Sequence, residues 1–122
     1  MATFRSFEDI EAWQAGRALT REVYDLTRTN PFCRDPGLCG QIQRAAVSVM
    51  ANISEGFERG SNRDFVRFLR IARGSLSEVR SHLFVALDVG YIDRETFERV
   101  NGEAKRITAM LNGLIRYLTK PA

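Results

Sequence analysis

Phe97, Val100, Ala104, Ile107, Leu111, Leu114 and Leu118 follow one another at intervals of 3, 4, 3, 4, 3 and 4, until Lys120-Pro121 stops the run. Only a helix returns positions three and four apart to the same side, so the spacing predicts an α-helix opened by Asp93, with one apolar seam. Such a seam needs other elements to cover it. The rest of the chain offers three of the same kind. Ser6 and Asp9 read as a capping box that starts a first helix running to Asn30-Pro31, with Ala12, Ala15, Leu19, Val23 and Leu26 facing inward and Trp13 anchoring its first half. Asp35 before Pro36 is an N-cap followed by a proline at the first helical position, which predicts a second helix from about 36 to 57. Ser61 with Asp64 caps a third helix that ends before Gly90, with Phe65, Phe68, Leu69, Ala72, Leu76, Val79, Leu83 and Leu87 as its core stripe.

Helices of this size would be roughly 30 to 40 Å long, and the short links between them favour antiparallel neighbours. The expected fold is therefore all-α: a single domain over residues 1–122, built as an antiparallel up-down-up-down four-helix bundle. With 44% hydrophobic and 27% charged residues the chain has the balance of a folded globular protein and not that of a disordered one. The longest nearly apolar stretch, Ala45 to Ile53, is too short to cross a bilayer, which needs about 20 residues. Acidic residues in MATFRSFEDIEAW occupy the place where a signal peptide would carry its apolar run. A cytoplasmic protein without membrane contact is expected, with Cys33 and Cys39 as free thiols.

Once the core is filled, several side chains are left over. Val66, Ile71, Phe84, Val85 and Val89 fall outside the core stripe of the third helix, and Cys39, Val47, Met50 and Phe57 outside that of the second. This surplus predicts self-association. Gln41, Arg44, Ser48, Asn52 and Glu55, spaced 3, 4, 4 and 3, gather on one polar face, either as a network between helices or subunits or as a solvated surface. All but two of the 18 basic residues are arginine, and residues 41–80 carry seven of them against four acids, a local surplus of three. Arg59, Arg63, Arg67, Arg70 and Arg73 are the candidate contacts to an RNA or DNA backbone, because a planar guanidinium grips phosphate with two hydrogen bonds. The competing reading is a solvated face paired with acids.

Catalytic chemistry finds little support. The single histidine, His82, has its nearest acid at Glu78, so the paired Glu-x-x-His motifs of di-metal bundles are excluded. Two cysteines make no metal site, the serines have no histidine triad, and Gly56-Phe57-Glu58-Arg59-Gly60-Ser61 lacks both the lysine and the preceding strand of a phosphate loop. Neither catalytic residues, nor a metal, nor a cofactor is expected, and an enzyme is not.

The order FEDIEAWQAGRALTREVYDLT, QIQRAAVSVMANISEGFERGS and DFVRFLRIARGSLSEV resembles the four helix bundle protein family, also described as the S23 ribosomal protein or 23S rRNA intervening-sequence protein family. Its most distinctive portion is RAAVSVMANISEG followed by FLRIARGS; matched positions include Arg44, Ser48, Asn52, Glu55, Gly56, Arg59, Ser61, Phe68, Gly74, Ser75 and Glu78. The resemblance implies a small cytosolic bacterial bundle that assembles into a ring, with a homopentamer preferred, and it establishes no enzyme. Some relatives are encoded within rRNA intervening sequences, and a remote group accompanies reverse transcriptases and binds nucleic acid. The turn TNPFCRDPGLCG departs from many members. Two readings follow: a noncatalytic oligomeric module that binds RNA or a nucleoprotein, and a purely structural or protein-interaction oligomer.

Overall fold

The structure, a computed structural model, describes residues 4–121. Four helices carry the fold: α1 (Glu11–Thr27), α2 (Pro36–Glu58), α3 (Asn62–Asp88) and α4 (Arg94–Thr119). Contacts between them run in opposite directions. Thr20 reaches the carbonyl of Ala46 while Thr27 takes a hydrogen bond from Gln43, so α2 descends beside α1. Ser48 meets Ser75, and Gly56 meets Phe68, across α2 and α3. Arg73 and Arg80 reach Asn112 and Asn101 on α4, and Arg99 of α4 pairs with Glu22 to close the ring back onto α1. Each neighbour is antiparallel to the last, as expected for up-down-up-down order.

Three caps hold as the sequence predicts. Asp35 Oδ1 accepts the amide of Leu38, Ser61 Oγ that of Asp64, and Asp93 Oδ1 that of Thr96, each satisfying a donor that a helix start leaves free. The Thr96 hydrogen bonds also hold the Asp93 carboxyl below its ordinary range. Gly60 and Gly90 take left-handed φ angles of +86° and +83°, which end α2 and α3 at little cost for a residue with no Cβ.

The first helix differs from the expectation. The Ser6–Asp9 box closes only a 3-10 turn, Phe7–Asp9, and α1 begins at Glu11 without a side-chain cap. Ile10 between them is extended and 1% exposed; burying this side chain requires a break in the helical path. At the other end α1 stops at Thr27, whose buried hydroxyl donates to the Val23 carbonyl and accepts from Gln43, leaving Leu26 half-buried.

The α4 seam also drifts. Phe97, Val100, Ala104, Ile107, Leu111 and Leu118 are buried, but Leu114 is half-buried and Ile115 takes its place at 7% exposure. A strict 3.5-residue repeat slips about 20° per heptad on a 3.6-residue helix, so after two heptads the next residue faces the core. Leu111 is fully buried, and Leu111→Ala is expected to cost about 2 to 5 kcal/mol, read as a fall in the urea midpoint. An unchanged midpoint would contradict this register.

Much of the apolar surplus is absorbed within the subunit. Val66 and Cys39 are buried, because α2 and α3 each have a neighbour on both sides and so bury a wider arc than one seam. Phe57 packs edge-on against Phe4 and Phe65. Val47, Ile71, Phe84, Val85 and Val89 remain exposed by 42 to 56%.

Candidate functional site

The polar face of α2 divides into three parts. At its centre Asn52 Nδ2 donates to the Ser48 carbonyl and to Ser48 Oγ, at 2.8 and 2.9 Å. The Ser75 hydroxyl donates to Ser48 Oγ at 2.9 Å and lies 3.3 Å from the carbonyl of Ile71 on its own helix. Ser75 is 4% exposed and so needs these partners, since a buried hydroxyl without one costs a kcal/mol or more. Ser48 and Asn52 therefore belong to a network between helices of one subunit. Gln41 and Arg44 stand apart from it, exposed, with the Arg44 guanidinium lying back over Gly40, whose missing side chain leaves it room. At the far end Glu55 pairs with Arg59 at 3.0 Å in solvent.

The arginines also separate. Arg63, Arg67 and Arg70 are exposed and, with Ser61, Asp64 and Ile71, line an open groove on the outward side of α3. Arg67 approaches Asp64 at 3.9 Å, while Arg63 and Arg70 have no carboxylate within ion-pair distance among the described residues. Arg59 and Arg67 both lie over the ring of the buried Phe68, at 4.9 and 4.5 Å from its centroid. Arg73 leaves the group. It is half-buried and donates to Asn112 Oδ1 at 2.8 Å, as Arg80 does to Asn101 at 3.0 Å, so both secure α3 to α4. Ten residues after Arg63 the helix has turned back by about 80°, which sets Arg73 toward α4 and apart from the other candidate contacts.

Ser75 is the member of this site that reading by helical periodicity does not single out. Its signal was a lone hydroxyl between Ala72 and Leu76 in an otherwise apolar stripe. Asn101 and Asn112, about three helical turns apart on α4, were the corresponding signal for Arg80 and Arg73.

His82 is half-buried, and among the described residues no group of three or more histidine, cysteine or acidic side chains gathers as a metal site would require. Burial pushes the Cys39 thiol up, and the charge of nearby Asp35 adds to this, so it stays protonated and donates toward the carbonyl of Phe32 at 3.2 Å. No helix of the described residues is long and apolar enough to cross a membrane.

A four-helix bundle with an internal hydroxyl and amide seam between α2 and α3 and an arginine-rich outward α3 defines the class of protein. The sequence profile of the 23S rRNA-intervening sequence protein family matches residues 8–113, and the chain belongs to that family. Among solved structures it is similar to a protein of unknown function from the S23 ribosomal protein family of Bacteroides thetaiotaomicron VPI-5482. The two share 25% identity over 86% of this chain and 98% of that one, with a TM-score of 0.80. No curated protein matches the chain. The family description names no reaction.

Proposed function

We propose that the protein is a noncatalytic, self-associating helical module of the cytoplasm that binds RNA or an RNA-containing particle. The observation that carries this reading is the outward face of α3, where Arg63 and Arg70 stand beside Arg67 without carboxylate partners among the described residues, in a groove open to solvent. Free guanidiniums on a rigid helix suit phosphate, and such contacts bind without regard to base sequence. Ile71 and Val85 on the same helix and Val89 just past its end, 44, 45 and 56% exposed, support assembly with further copies; a pentamer is what the family resemblance implies.

The exposed apolar residues also favour a second reading, an oligomer that meets only proteins. Salt separates the two. Replacing Arg63, Arg67 and Arg70 with Gln is expected to leave helicity and light-scattering mass unchanged. RNA affinity should fall, and the slope of log affinity against log salt should flatten by roughly 2, about 0.7 for each lost contact to a single strand. Wild-type protein that binds no RNA at low salt would leave the protein-interaction reading. A monodisperse 13.9 kDa monomer at micromolar concentration would remove self-association from both.

A further inference from the structure

The outward face of α1 carries a pattern that the α3 arginines lack. Trp13, Arg17, Arg21, Tyr24 and Arg28 follow at intervals of 4, 4, 3 and 4, so they form one stripe along the helix in which rings and guanidiniums interleave. From end to end the stripe is roughly 22 Å long at 1.5 Å per residue. Trp13, Arg17 and Arg21 form one wall of an open groove with Met50 of α2, and no carboxylate lines it. Arg17 lies 5.9 Å from the Trp13 ring centroid, which presents ring and cation at one point. Neither Arg17 nor Arg21 has an ion-pair partner among the described residues. The acids nearby are turned elsewhere: Glu22 holds Arg99 on α4, and Asp25 pairs with Arg28 at 3.3 Å where both side chains are mostly in solvent. An ion pair so exposed yields readily to a phosphate. Tyr24 is 37% exposed and Trp13 half-buried.

We propose that this stripe is a track for single-stranded nucleic acid, with phosphates on Arg17, Arg21 and Arg28 and bases stacked on Trp13 and Tyr24. The proposal rests on the RNA-binding reading and places base contact on α1, with the α3 arginines as a separate electrostatic surface. An acidic peptide would use the cations and leave the rings idle. A duplex keeps its base faces stacked and out of reach, whereas a single strand offers both a phosphate chain and open π-faces. The length suits the lower end of the 4 to 16 nucleotides that comparable tracks hold, roughly.

Trp13 is the single tryptophan of the chain, so its emission reports on the track directly. Titration of the full chain with a short oligouridine at low salt is expected to quench Trp13. Inorganic polyphosphate and polyglutamate, which carry charge without bases, are expected not to. Oligothymidine in place of oligouridine decides whether the 2′-hydroxyl matters: equal quenching means a track for either nucleic acid, and weaker quenching one for RNA, both consistent with the proposal. Tyr24→Ala should weaken oligouridine binding about tenfold while Tyr24→Phe retains it. Arg17→Gln with Arg21→Gln should reduce the salt slope by about 1.4. All of these side chains are at the surface, and circular dichroism should show the fold intact. The track is overturned if polyglutamate quenches as well as oligouridine. It is also overturned if oligouridine binds without changing Trp13 emission and the α1 variants bind as wild type; loss of binding in the Arg63, Arg67 and Arg70 variant would then leave the α3 reading standing. No RNA binding by wild-type protein overturns both.

Discussion

Phe32→Ala is expected to destabilise the fold by about 3 to 5 kcal/mol, although the residue lies in a connection and not in one of the four long helices. Phe32 is fully buried, in a 3-10 turn (Phe32–Arg34) between α1 and α2, and stacks on Tyr91 from the α3–α4 connection with ring centroids 5.2 Å apart. The Tyr91 hydroxyl donates to Asp35 Oδ2 at 3.0 Å, while the other oxygen of Asp35 caps α2. One ring thus ties two loops and a helix start together, and truncating it leaves a cavity under all three. Urea denaturation measures the loss; a midpoint like that of wild type would mean the loops stay joined without the ring. Tyr91 adds a dependence on pH. The hydrogen bond to Asp35 raises its phenol above the ordinary value, so the associated stability is complete below the unfolded pKa and declines as pH rises through the folded one. Tyr91→Phe should remove that alkaline slope.

Gly56→Ala should be nearly as damaging, at about 1 to 3 kcal/mol and upward. A Cβ built there would stand 2.6 Å from Phe68 Cβ, 3.2 Å from Phe65 Cδ1 and 3.3 Å from the Phe65 carbonyl oxygen. The nearest of these is an atom fixed to the α3 backbone, so no side chain can rotate away and the two helices must part. The contrast is Gly102→Ala on α4, where a Cβ meets nothing within 4 Å. There the methyl group should stabilise the helix by about 0.5 to 1 kcal/mol, since alanine loses less backbone freedom than glycine. Thermal melts of the two variants are expected to shift in opposite directions. A Gly56 variant that melts with wild type would show that α2 and α3 separate at no cost.

The caps were legible because their physics is local: Asp35, Ser61 and Asp93 each need only an amide three residues ahead. Ser6 shows the limit of that logic. Its box forms as read, yet the chain leaves helical geometry at Ile10 because the core one layer away accepts that side chain, which no neighbouring residue reveals. The same limit separates Arg63 from Arg73. Both are arginines on one helix, about 80° apart around its axis, but the acceptor that makes Arg73 a clamp, Asn112, stands on α4 and is not marked by any neighbour of Arg73 in the chain. Likewise the polar spacing on α2 marked Ser48 and Asn52 for a network between helices or subunits; that their partner is the subunit's own Ser75 depends on how α3 is laid alongside.

Two long apolar seams can slide past one another in steps, since every turn of one helix offers the next much the same surface. Between α2 and α3 that degeneracy is broken by a few atoms. A slip of one turn, about 5.4 Å, would part Ser75 from Ser48 and set it against Arg44 or Asn52 of the same polar face, while driving side chains against Gly56 where only a hydrogen fits. The hydroxyl pair favours one register by the bond it makes there, and the glycine rejects the others by a collision. Ser75→Ala with Gly56 kept would therefore remove one of two restraints on the alignment and leave the other, so the helices should keep a single packing with a softer hold on it.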